Sequence, residues 1–198
     1  MNEVEPSPTV IVLGGINGAG KTTAARSLLA NTLHVMTFVN ADVIAQGLSG
    51  FDPNAAAMRA GRIMLEQLDE LAAERANFAF ETTLAGRGYA RWLNSLRESG
   101  YKVHLFYFWL NSTETAIARV AARVKKGGHH VPEATIRQRY GRSIQNLFGL
   151  YLPVVDSWKV YDNSSAGSPV LVAEGLRGTN EIIYLPDLWS QVRSGANG

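Results

Sequence analysis

Gly15-Ile16-Asn17-Gly18-Ala19-Gly20-Lys21-Thr22 carries the strongest chemical signal in the chain. It satisfies G-x-x-x-x-G-K-[ST] at every fixed position. Glycines let successive backbone N–H groups turn inward around a phosphate. A helix opening at Lys21 aims its positive end at the same anion. Gly15, Asn17, Gly18, Ala19, Gly20, Lys21, Thr22 and Thr23 are therefore the candidate residues for gripping ATP or GTP. Lys21 is placed to reach the outer phosphates, and the Thr22 hydroxyl to ligate Mg²⁺. A dinucleotide fingerprint needs G-x-G-x-x-G, and glycines at 14, 15, 18 and 20 lack that spacing.

Two acids sit where such chemistry needs them. Asp42 follows an apolar stretch in Val39-Asn40-Ala41-Asp42. A carboxylate at a strand end accepts a proton from an attacking hydroxyl or helps hold Mg²⁺; it also serves as a plain helix N-cap. Glu81 closes Phe78-Ala79-Phe80-Glu81, the place of a metal-handling acid, and Thr82, Thr83 and Arg87 continue a polar rim. The competing reading of Glu81 is a strand end turning polar at the surface. From 119 to 142 the chain carries seven basic residues against one acid, Glu133, in a protein of net charge +2. Arg119 and Arg123 share one helix face, Arg139 and Arg142 another, and Gly127-Gly128-His129-His130-Val131-Pro132 breaks between them. This reads as a hinged, arginine-rich lid over a triphosphate, since the guanidinium fork binds phosphate oxygens and keeps its charge. The two histidines read as loop residues.

The elements that must position these residues alternate between strand and helix. Short apolar strands are expected at 10–13, 35–40, 78–81 and 101–110, with later ones at 159–161 and 170–173. Helices are expected from 21 to 29, 54 to 75, 89 to 98, after Ser112, and from 133 to 147. Met58, Gly61, Leu65, Leu68 and Ala72 form the expected inner stripe of the long helix; Ile117, Val120, Ala121 and Val124 form that of the helix after Ser112. Leu48 to Gly50 reads as an ordinary loop. The alternation implies an α/β P-loop NTPase fold: a parallel sheet with helices on both faces and a small arginine-rich lid. One domain is expected over residues 1–198, its core at about 9–175 and its lid at about 119–142.

With 46% hydrophobic and 18% charged residues the chain is globular. It has no cysteine, which fits a reducing cytoplasm and removes disulfides and thiolate metal sites. No apolar run approaches the roughly 20 residues of a membrane helix. The basic segment lacks interleaved exposed aromatics apart from Tyr140, so nucleic acid is not expected as a partner.

Together these motifs resemble the zeta-toxin family of P-loop kinases, in its stand-alone branch often labelled predicted ABC-type ATPase. The stretches that carry the resemblance are 14–23, 40–42, 80–87, 119–142 and 160–164. Zeta toxins phosphorylate a hydroxyl of the amino sugar in UDP-N-acetylglucosamine. The resemblance implies Asp42 as general base and Lys21 as phosphate-loop lysine. It places Glu81, Thr82 and Arg87 against the sugar nucleotide or its phosphates. It makes one of Arg119 and Arg123, and one of Arg139 and Arg142, the phosphate-binding lid arginines. It also implies an antitoxin as a potential protein partner. The reading from another class is an NTPase switch, associated with nucleic acid or not, that has no small-molecule acceptor. Asp42 discriminates between them, since a switch needs only a positioned water.

Overall fold

The computed structural model describes residues 6–29, 35–49 and 53–196. Strand β1 (Thr9–Gly14) is buried on both faces, as a run of β-branched and leucyl residues between two helical layers must be. Val10 and Val12 join the core on one side of the sheet, and Ile11 and Leu13 the core on the other. β2 (Phe38–Val39), β3 (Phe78–Thr82), β4 (Lys102–Trp109) and β5 (Ser157–Asp162) run parallel to β1, in the order β2-β3-β1-β4-β5. Two further strands, β6 (Val170–Leu176) and β7 (Ile182–Ile183), extend the sheet antiparallel beyond β5. The result is a mostly parallel, seven-stranded α/β sheet.

The helices are α1 (Lys21–Leu28), α2 (Ala41–Leu48), α3 (Pro53–Ala73), α4 (Gly88–Glu98), α5 (Thr113–Lys125), α6 (Glu133–Asn146) and α7 (Pro186–Ser194). Ser112 caps α5, its Oγ accepting the Thr115 N–H at 3.1 Å. Several expectations are corrected. β2 spans two residues, not six; among the described residues it is an edge strand paired only with β3. In α3 the buried positions are Ala60, Met64 and Leu68, while Met58 and Leu65 are 74% and 50% exposed. The inner face is thus rotated from the expected stripe. In α5 Ala116 and Val120 are buried and Ala121 is exposed. The core also runs past residue 175: Trp189 of α7 stacks on Trp158 with ring centroids 5.6 Å apart, and Val192 is fully buried. Leu48 ends α2 and Ser49 is its C-cap, whereas Gly50 lies outside the described residues.

The strand order explains where a site must form. β2, β3 and β1 are consecutive, so Asn40–Asp42, Glu81–Thr83 and the loop after Gly14 all emerge at one end of the sheet. Ligands of open α/β sheets bind beyond this carboxyl edge. The loop after β3 is clamped from behind. Ser143 Oγ donates to the Thr83 carbonyl at 2.6 Å, Asn146 Nδ2 to that of Leu84 at 2.7 Å, and Tyr151 Oη to that of Gly86 at 2.7 Å. Leu84 is fully buried at φ 57, a conformation that costs a leucine on the order of 1–3 kcal/mol and that such a clamp must hold in place.

Candidate active site

The loop after β1 wraps a cradle for structural reasons readable atom by atom. Gly15 has φ +136, and a Cβ there would lie 2.3 Å from the Phe108 carbonyl oxygen. Gly18 and Gly20 both have φ 83, so the turn depends on glycine. Asn163 Nδ2 donates to the Ala19 carbonyl at 2.8 Å and ties the loop to the chain after β5. α1 starts at Lys21 with no side-chain cap, leaving its first-turn N–H groups for an anion.

The charged groups converge on Glu81. Lys21 is 5% exposed; its Nζ donates to the Ile16 carbonyl at 3.0 Å and lies 3.4 Å from Glu81 Oε1. Glu81 Oε2 accepts from Thr22 Oγ1 at 2.7 Å and from Asn40 Nδ2 at 2.9 Å. Asn40, 6% exposed, also accepts the Asp42 N–H on its Oδ1 at 2.8 Å. Asn40 is thus the N-cap of α2, and the capping role weighed for Asp42 is corrected: Asp42 sits inside the first turn. Its carboxylate is spared for the cleft.

Two cavities meet here. One, of about 440 Å³, is lined by Asn17, Gly18, Gly20, Lys21, Thr22 and Thr23 of the loop and by Arg119, Arg123 and Lys126 from α5 and its end. The other, of about 330 Å³, is lined by Asn40, Thr82, Thr83, Tyr89, His129 and Arg139. Asn17, Lys21, Asp42 and Glu81 line both, so they form the junction. Burial pushes the Tyr89 phenol above its ordinary range, so this wall of the second cavity is neutral.

Arg119 and Arg123 line the same cavity with different partners, whereas the structure separates Arg139 from Arg142. Arg119 donates to the carbonyls of Ser164 and Ser165 at 2.9 and 3.3 Å, and Arg123 to that of His129 at 2.8 Å. Arg139 donates to Asn17 Oδ1 at 3.2 Å, directly over the loop, whereas Arg142 is exposed and lines neither cavity. Arg87 is exposed at the N-cap of α4, also outside both cavities. The Thr82 and Thr83 hydroxyls accept the N–H groups of Leu84 and Ala85, so they shape the turn as well as lining the cavity. His129 lines the second cavity and His130 is exposed. Tyr140 is half-buried against the core and donates to the Leu110 carbonyl at 2.7 Å.

Asn40 is the residue that the motif reading passed over, although an Asn two positions before an Asp at a strand end is a capping signature. Asn40→Ala removes the cap and the Glu81 donor together; a loss of about 1 kcal/mol in stability is expected, with turnover down roughly tenfold or more. Asn40→Asp keeps a cap oxygen but sets a second negative charge against Glu81. It is expected to fold normally yet to shift the Mg²⁺ dependence of turnover, because the donor that orients Glu81 is lost. Thermal unfolding and Mg²⁺ titration of both variants check this; wild-type metal dependence in both contradicts a positioning role.

The cradle at a strand–helix junction, the lysine and hydroxyl facing a strand-end acid, and the mostly parallel sheet together define a P-loop nucleotide-binding protein. Residues 10–142 match the AAA_33 family, described as an AAA domain, and the chain belongs to that family. A protein of Haemophilus influenzae, described only as uncharacterized, is 32% identical over 126 residues, which cover 64% of this chain and 88% of the relative. Among solved structures, a chain of the AvrRxo1-ORF1:-ORF2 complex with ATP superimposes with a TM-score of 0.75 at 17% identity. It matches 96% of this chain, which spans 65% of that longer one. A chain of the PezAT chromosomal toxin-antitoxin system of Streptococcus pneumoniae gives a TM-score of 0.61 at 17% identity, covering 98% of this chain and 88% of its own. The zeta-toxin-like P-loop fold expected from the motifs is the fold these structures share with it. Among the described residues no helix is long and apolar enough to cross a membrane.

Proposed function

We propose that this single-domain protein is an ATP-dependent small-molecule kinase that phosphorylates a hydroxyl, with a sugar nucleotide such as UDP-N-acetylglucosamine as its acceptor. The observation that carries the reading is the junction: a basic, phosphate-sized cleft and a second cleft share Lys21, Asp42 and Glu81. A nucleotide switch needs the first cleft only. The ATP in the AvrRxo1 complex supports the choice of nucleotide, and the PezAT and AvrRxo1 complexes are the support for an antitoxin-like protein partner.

In the reaction the loop N–H groups and Lys21 hold the triphosphate, and Arg139 and Arg123 bring positive charge to its outer oxygens. Asp42 takes the proton of the acceptor hydroxyl as that oxygen bonds to the γ-phosphorus and ADP departs. Thr22 and Glu81 offer hard oxygens 2.7 Å apart beside the cradle, a donor set that suits Mg²⁺, which takes few protein ligands and fills its shell from phosphates and water. Held by these residues, Mg²⁺ would supply positive charge against the phosphate oxygens. A screen of ADP release against sugar nucleotides, nucleosides and aminoglycan precursors tests the proposal. Acceptor-stimulated release supports it, and release indifferent to every acceptor favours the switch.

The lid belongs to the same proposal. Lys125, Lys126 and Gly127 are exposed, Gly127 has φ +81, and the Arg123 Nε is buried with no partner among the described residues. Val131, 6% exposed, anchors the far side of the turn, so the moving part is short. A triphosphate attracts this basic turn and draws it down, excluding water from the γ-phosphoryl group. Amide exchange across 125–133 is expected to slow on binding a non-hydrolysable ATP analogue. Exchange that is already slow and stays unchanged marks a fixed wall instead.

A further inference from the structure

The segment after β5, Asp162-Asn163-Ser164, takes no part in the reaction as drawn, yet it is bonded to both the phosphate loop and the lid helix α5. We propose that Asn163 is a positioning residue that presets the phosphate loop from outside, aiming the Gly20 N–H at the phosphate the loop binds. The proposal rests on the phosphate-loop assignment and not on the choice of acceptor.

Ala19 is fully buried, so its carbonyl needs a donor from the protein. The first helical bond of α1, from the Ala24 N–H at 3.0 Å, goes instead to the carbonyl of the N-cap, Gly20. Asn163 Nδ2 supplies the bond to Ala19 at 2.8 Å. A trans peptide is planar, and its C=O and N–H point in opposite directions. With the Ala19 carbonyl drawn out to Asn163, the Gly20 N–H faces the other way, toward the cleft that Gly20 lines. Asn163 lines neither cavity, so it acts on a ligand through the loop. The approach is close: a Cβ on Gly20 would lie 2.5 Å from Asn163 Nδ2. An amide meets the need here, whereas a carboxylate of the same shape sets oxygen against oxygen.

Asn163 is itself held in place. Its N–H donates to the Trp109 carbonyl at 3.0 Å. The Ser164 N–H, at 2.9 Å, and the Ser164 hydroxyl both donate to Asp162 Oδ1. Ser164 Oγ accepts the Asn111 N–H at 2.8 Å, which fixes the segment on the ends of β4 and β5. The Ser164 and Ser165 carbonyls hold the Arg119 guanidinium, so loop and lid helix share one footing. Without the Asn163 bond, the 19–20 peptide is free to turn its carbonyl oxygen toward the phosphate. Affinity then falls with the fraction of molecules in the competent orientation.

The test uses the full-length protein with Mg²⁺ and no acceptor. ADP and inorganic pyrophosphate are titrated by calorimetry into the wild type, Asn163→Asp and Asn163→Leu; the leucine variant removes the donor without adding charge. Both variants are expected to bind both ligands roughly tenfold more weakly, by the same factor for each ligand. Thermal unfolding establishes that each variant is folded at the titration temperature. Wild-type affinity for both ligands in the folded variants overturns the proposal. ADP weakened with pyrophosphate unchanged places Asn163 against the base and overturns it too. A second readout needs no variant: the assigned Gly20 amide resonance of the wild type is expected to move saturably with pyrophosphate. A Gly20 resonance unmoved at saturation overturns the proposal. A wild type that binds neither ligand refutes the phosphate loop and the proposal with it. Failure of the kinase reading shows separately, as an unmodified acceptor, and leaves these titrations as expected.

Discussion

Asp42→Asn is expected to lower phosphoryl transfer by about 10²-fold or more while leaving ATP affinity close to that of the wild type. The substitution keeps the size of the side chain and removes its capacity to take a proton. Fold and cap are not at stake, because the α2 cap is Asn40, whose Oδ1 accepts from the Asp42 backbone and not from its side chain. Asp42 lines both cavities, so in the proposed reaction its carboxylate would stand between an acceptor hydroxyl in one and a γ-phosphoryl group in the other. Single-turnover measurement on an identified acceptor separates the chemical step from binding. An unchanged rate shows that Asp42 takes no part in transfer. A parallel loss of Mg²⁺ affinity moves it to a metal-binding role.

Lys21→Ala is the second large effect. Nζ is buried against the Ile16 carbonyl and Glu81, at the mouth of the cradle. Removing it withdraws the cation that faces the developing charge, for which a loss of about 10²–10³-fold in turnover is expected, together with weaker triphosphate binding. The protein should stay folded: Glu81 keeps its hydrogen bonds from Thr22 and Asn40, so the carboxylate is not stranded. Circular dichroism and thermal unfolding establish folding, and calorimetry with ATP and Mg²⁺ reads affinity. A folded variant with full ATP affinity and turnover contradicts the assignment of the phosphate loop.

The sequence was most legible where local geometry dictates residue type. Gly15, Gly18 and Gly20 report positive φ and close backbone approach, which few other residues tolerate. Lys21 and Thr22 then follow at fixed positions on the helix they open. Parallel strands buried on both faces, such as β1, announced themselves by unbroken apolar runs. What stayed hidden depends on long-range partners. That Arg139 reaches Asn17 while Arg142 faces solvent follows from how α6 lies on the sheet, not from their spacing. The clamp of Ser143, Asn146 and Tyr151 on the loop after β3 joins residues about sixty positions apart, with no local pattern to reveal it. The inner face of α3 was misread because its Met58 and Leu65 are apolar yet exposed; Leu65 borders an open groove between α3 and α4. Sequence periodicity cannot tell a residue packed in the core from one lining such a groove.

Incubating the protein with ATP, Mg²⁺ and UDP-N-acetylglucosamine, and analysing the acceptor itself by phosphorus NMR and mass spectrometry, tests the central claim most directly. The account predicts a new phosphate ester on a sugar hydroxyl, formed in step with ADP and lost in Asp42→Asn. ADP accompanied by an equal amount of inorganic phosphate, with this and every other hydroxyl acceptor returned unmodified and the yield indifferent to Asp42→Asn, would contradict it.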